Sequence, residues 1–122
     1  MGEDQEEEET NVPPGELTAF QYTVLLVLAE ESRYGLAIKD ELEEYYGTEI
    51  NHGRLYPNLD EIAEDGLIEK RSLDTHTNQY ELTEDGYETI RARLDWELSK
   101  VITDGERAET VARLIENVDR NE

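Results

Sequence analysis

One strand–turn–strand stretch, residues 67–82, lies in a chain whose other apolar residues recur at helical spacing, and this order limits the fold more than any other feature. Leu67 to Leu73 reads as a strand, Asp74-Thr75-His76-Thr77-Asn78 as a polar turn, and Gln79-Tyr80-Glu81-Leu82 alternates as a half-buried strand does. Upstream, Thr18-Ala19-Phe20-Gln21 fits a capping box, in which the threonine hydroxyl and the glutamine side chain satisfy free helix-end N–H groups. The apolar run Phe20–Ala29 predicts a helix buried on several sides. Ser32 can cap a second helix whose apolar positions are Leu36, Ile38, Leu42 and Tyr45, with Gly47 suited to the left-handed residue after its end. A third helix begins near Asn51, carries the stripe Leu55, Leu59, Ile62 and Ala63, and stops at Gly66. Pro57 conflicts with it, because a proline ring clashes with the carbonyl four residues back, that of Gly53; periodicity alone puts a boundary at Tyr56.

Downstream, Thr83 caps a long helix with apolar positions Tyr87, Ile90, Leu94, Leu98 and Val101, a narrow seam suited to pairing with another helix. Asp104-Gly105 interrupts it, and a last helix places Val111, Leu114, Ile115 and Val118 in register. The expected fold is mostly α with a small β-hairpin: a winged helix-turn-helix core over residues 17–83, C-terminal dimerisation helices over 84–122, and a disordered acidic tail over 1–16. One such core cannot easily cover both apolar surfaces, so a symmetric homodimer is expected, with those nine seam and last-helix residues at its interface and Trp96 either there or packed on the surface.

Thirty-two acids against 11 bases leave a net charge of −21, and only three of the bases are lysines. The tail holds seven acids and no base, so residues 17–122 still carry −14. Such self-repulsion opposes a compact state and repels nucleic acid at ordinary ionic strength. In molar salt the Debye length falls to about 3 Å and most of it disappears. The composition resembles that of halophilic archaeal proteins; an acidic protein-interaction module is the plainer reading.

The absence of cysteine excludes disulfides, thiolate zinc sites and cysteine nucleophiles. No apolar run suits a membrane span or a signal peptide, so a cytoplasmic location without membrane contact is expected. His52 and His76 fall on different elements with no nucleophile, phosphate loop or metal-ligand spacing beside them. No enzyme, metal or other cofactor is expected.

Gly53-Arg54-Leu55-Tyr56-Pro57-Asn58-Leu59, followed by Glu64-Asp65-Gly66-Leu67-Ile68-Glu69, resembles the recognition helix and pre-wing segment of the PadR family of transcriptional regulators. Tyr34-Gly35-Leu36 and Tyr80-Glu81-Leu82-Thr83-Glu84-Asp85-Gly86 resemble two further family elements, so the likeness spans about residues 17–95. It implies that the third helix continues through Pro57, admitted because Gly53 lacks a side chain. His52 and Arg54 stand where the family usually has proline and serine, and the wing tip is neutral where family wings are commonly arginine-rich. With this composition, the likeness extends to stress-responsive regulators of halophilic archaea.

In a helix-turn-helix the second helix of the pair enters the major groove, its N-terminal residues nearest the bases. Asn51, Arg54 and Asn58 share one side of the third helix; arginine can grip guanine and asparagine adenine, each with two bonds. Glu61 and Asp65 continue that side, so only its first two turns should approach DNA. Gly53 lies among them. Tyr56 and Tyr34 are either phosphate donors or packed aromatics, and His52, at a helix N-terminus, suits a neutral hydrogen-bonding role. Lys70 and Arg71 point to opposite faces of a strand, so at most one faces the duplex. Thr75, His76, Thr77 and Asn78 form a wing tip able to reach a minor groove or backbone. Residues 51–80 hold three bases against six acids, a net of −3, which is no basic patch. Salt cations, K⁺ above all, are expected between the acidic surface and the phosphates of palindromic double-stranded sites. The alternative is a winged helix that binds protein and not DNA.

Overall fold

The computed structural model describes residues 16–75 and 77–120. Almost all of the acidic tail, and His76 of the wing tip, therefore lie outside the described residues. Eight elements follow in order: α1 (Ala19–Glu30), β1 (Arg33–Tyr34), α2 (Gly35–Tyr46), α3 (His52–Glu64), β2 (Ile68–Ser72), β3 (Asn78–Leu82), α4 (Glu84–Val101) and α5 (Gly105–Arg120). The sheet is antiparallel, in the order β1-β3-β2. One compact unit ends at Arg91 and a second begins at Ala92.

Local chemistry sets most helix ends. The Thr18 hydroxyl accepts the Gln21 N–H at 3.0 Å, and the Gln21 side chain accepts the Thr18 N–H at 3.3 Å. Gly47 (φ 72°) and Gly66 (φ 83°) close α2 and α3 in the left-handed region that glycine enters without a Cβ penalty. The Thr83 hydroxyl accepts the Gly86 N–H at 3.0 Å and donates to the Gly66 carbonyl at 2.7 Å, stapling the start of α4 to the end of α3. Asp104 caps α5 by accepting the Arg107 N–H at 2.9 Å.

Two boundaries depart from the sequence expectation. Ser32 does not cap α2; the chain instead runs extended through Arg33–Tyr34, which pairs with Tyr80 and Gln79 of β3, so α2 starts at Gly35. A two-residue strand has no period of its own, and only the pre-existing β3 edge selects it. The helix α3 does pass through Pro57, but not because Gly53 lacks a side chain. Outside its own helix backbone and chain neighbours, a Cβ on Gly53 would meet only Asn51 Oδ1, at 3.4 Å, and never the proline ring. Leu55, Leu59 and Ile62, all fully buried, hold the helix across the one hydrogen bond that Pro57 forfeits.

The core gathers Leu17, Val24, Leu25 and Leu28 with Ile38 and Leu42, the α3 stripe, Leu67, Ile68, Tyr80 and Ile90. Burial on α1 is narrower than its apolar run suggests, since Leu26 stays exposed. On α2 the buried set is Gly35, Ile38 and Leu42, while Leu36 and Tyr45 face solvent. Arg33 spans the α1–α2 junction: its side chain is largely buried, donates to the Val27 carbonyl at 3.3 Å, and stands among Glu30, Glu31 and Glu41. Glu43 accepts from Lys39 Nζ at 2.8 Å and from the Ile50 N–H at 2.9 Å, fastening the α2–α3 turn. Both groups titrate accordingly, the Lys39 ammonium above its ordinary value and the Glu43 carboxyl below its own, chiefly through that shared hydrogen bond.

Ile90 corrects the expected seam. At 4% exposure it belongs to the core of the first unit and offers no surface to a second chain. The second unit comprises the end of α4 and α5, where Leu94, Leu98 and Val101 are exposed, as are Leu114, Ile115, Val118 and Trp96, with Val111 half-buried. Lys100 Nζ stands 5.4 Å from the Trp96 ring centre.

Candidate nucleic-acid interface

The start of α2, the start of α3 and the wing frame one cleft of about 580 Å³. Five residues singled out in the sequence converge there: Tyr34, His52, Tyr56, Thr77 and Asn78. Gly35, Leu36, Ala37, Asp40 and Tyr80 complete the lining. Tyr56 reaches in from α3 with its ring stacked on His52, centroids 5.5 Å apart and planes at 22°. Its hydroxyl lies so close to Gly35 that any Cβ there would collide with it. Glycine at this position is thus a condition of the tyrosine's placement. Burial pushes the Tyr80 phenol above its ordinary pKa, with Tyr56 and Asp60 adding to the shift.

Tyr34 occupies the N-cap of α2 without a side-chain bond into the helix, so it leaves the first-turn N–H groups uncapped. Such groups, with the helix dipole behind them, attract anions. Asp40 is the acid among the lining residues and opposes them.

The remaining sequence-selected residues divide. Asn51 is exposed but caps α3, its side chain accepting the Arg54 N–H at 2.9 Å. Asn58 is half-buried and engaged twice: its oxygen accepts from Gln21 Nε2 at 3.0 Å and its nitrogen donates to the Arg54 carbonyl at 2.8 Å. A side chain so committed braces α3 against α1, which reduces what it can offer a base. Gly53 is exposed on the first turn. Arg54 is exposed, with its guanidinium carbon 4.0 Å from the Phe20 ring centre. Lys70 lies 3.8 Å from Asp60 and Arg71 3.2 Å from Glu81, so both wing cations have carboxylate partners. Among the described residues, Arg54 has no ion-pair partner. Thr75 is exposed in the turn, the Thr77 carbonyl accepts the Leu73 N–H at 2.9 Å, and Asn78 Oδ1 accepts from Ser72 Oγ at 3.0 Å. Sequence reasoning missed Leu36 and Asp40 in the cleft, and the bracing role of Phe20 and Gln21. Only the capping-box reading touched Gln21, and nothing in the periodicity signals its second bond.

A helix pair whose second member opens onto a hairpin wing, with a shared cleft between them, defines the class: a winged-helix transcriptional regulator. The model of the transcriptional regulator PadR-like family matches residues 24–92, and the chain belongs to that family. It is similar to H. salinarum RosR in the complex designated RosR-S1, at 51% identity over 90% of this chain and 98% of that one, with a TM-score of 0.87. H. salinarum RosR grown from NaBr is 52% identical over 88% and 97% of the two chains, with a TM-score of 0.85. Bacillus subtilis PadR in complex with operator DNA shares the fold alone, at 23% identity, 62% and 48% coverage and a TM-score of 0.55. No curated protein matches the chain. Among the described residues, no helix is long and apolar enough to cross a membrane.

Proposed function

We propose that the chain works in the cytoplasm as a non-catalytic homodimer that grips palindromic double-stranded DNA with α3 and the wing, in concentrated salt. The convergence of Tyr34, His52, Tyr56, Thr77 and Asn78 on one cleft carries this reading. A phosphate entering there meets helix-end N–H groups and phenol hydroxyls, which bind without a basic patch. Among the described residues of α3 and the wing, Arg54 is the arginine or lysine without a carboxylate partner, free to reach a base edge or phosphate. With Lys70 and Arg71 held by carboxylates, few counterions are displaced from DNA on binding, and K⁺ between the acidic surface and the phosphates takes their place. The exposed apolar residues of α4 and α5 support pairing with a second copy. A stress signal, if it acts on this sequence, does so without thiol oxidation, because no cysteine is present.

The test is a mobility shift on the chain's own promoter region across a KCl series into the molar range. Sequence-specific retardation that weakens little, or strengthens, with added KCl is expected. A steep loss of affinity refutes the role assigned to K⁺. Absence of any specific complex refutes DNA recognition and leaves a protein-binding winged helix.

A further inference from the structure

We propose that Phe20 and Gln21, neighbours at the start of α1, are positioning residues that present Arg54 to DNA; the inference rests on the DNA-binding reading above. Arg54 is held at both ends from α1. Its guanidinium lies over the Phe20 ring, 4.0 Å from the centre. Its carbonyl accepts from Asn58 Nδ2 at 2.8 Å, and Asn58 is fixed in turn by Gln21 Nε2 at 3.0 Å.

Neither support is loose. Phe20 and Gln21 are each 5% exposed. The Phe20 ring stacks on Tyr46 of α2, centroids 6.0 Å apart and planes at 27°, and the Tyr46 hydroxyl is hydrogen-bonded to Thr23 at 3.2 Å. The Gln21 side-chain oxygen is engaged by the Thr18 N–H of the capping box. Both ties therefore run from Arg54 through α1, which itself stays clear of the cleft lining.

The geometry suits presentation. A guanidinium lying flat on an aromatic ring keeps its N–H fork free in the plane, where the two acceptors of a guanine edge are engaged. An arginine ordinarily gives up much rotamer freedom on binding. Here a large part of that freedom is gone before DNA arrives, so the contact forms at lower entropic cost and at one angle. That angle is what separates the right base from the wrong one.

The experiment compares wild type, Phe20→Leu, Phe20→Tyr and Gln21→Leu in molar KCl. The probes are a duplex selected by the wild type from a random pool and a shuffled duplex of the same composition. Phe20→Leu and Gln21→Leu should lose about tenfold in affinity for the selected duplex and almost nothing for the shuffled one, while Phe20→Tyr stays within about twofold of wild type. In the free wild-type protein, NMR should show cross-relaxation between the Arg54 side chain and the Phe20 ring, with Arg54 protons shifted by the ring current; this readout stands even where a variant does not fold. Equal losses on both duplexes mark a merely structural role and overturn the proposal, as do unchanged affinities or missing Arg54–Phe20 contacts. A wild type that selects no duplex overturns the DNA-binding reading, and the proposal falls with it.

Discussion

Replacing Gly86 with alanine tests the joint that fixes α4 to the wing. Gly86 is buried, and a Cβ there would strike the Leu67 carbonyl oxygen and come within 2.6 Å of Leu82 Cδ1. Leu82 can give way, but the carbonyl cannot move alone, because it accepts the Thr83 N–H at 3.1 Å. Relief requires backing the first turn of α4 away, which breaks that bond and strains the Thr83 hydroxyl bonds to Gly66 and Gly86. Overpacking costs about 1–3 kcal/mol, and the lost backbone bond adds about 1 kcal/mol. A total of about 3 kcal/mol lowers the melting temperature of a domain this size by roughly 12–24 °C. Thermal denaturation in molar KCl, followed by circular dichroism, reads the shift. Combining Gly86→Ala with Leu82→Ala removes only the lesser obstacle, so the double variant should stay destabilised. A Gly86→Ala protein melting within about 4 °C of wild type would refute the reasoning.

Glutamates at Leu94 and Leu98 place charge on exposed apolar positions of α4 and should give monomers; a dimer mass unchanged by light scattering rules those residues out of the interface. The depressed pKa of Glu43, held down by Lys39 and by the Ile50 N–H, makes a contribution to stability that is present above the ordinary value of 4.5 and fades as pH falls through the folded-state value. Glu43→Gln should therefore melt below wild type at neutral pH and converge with it under acid conditions. A difference that is constant with pH shows that the carboxylate charge plays no part.

The convergent cleft was half legible in the residues. Tyr34, His52, Tyr56, Thr77 and Asn78 could be chosen by type and position, but their meeting depends on β1 pairing with β3, and a two-residue strand leaves no periodic trace. Asn58 shows what residue type leaves out. Type suggested base contact, and only the structure adds that Gln21 and Arg54 engage its side chain as a brace.

The linear chain determined the helix-helix-helix-hairpin-helix-helix order, the caps at Thr18 and Thr83, the α3 stripe and the strongly acidic charge, since each depends on spacing or composition within one segment. Tertiary packing alone decided that Ile90 joins the core, that Gly86 must lack a side chain, and that Arg54 lies on Phe20. Those outcomes depend on distances between segments far apart in the chain, and a local pattern carries no information about such distances.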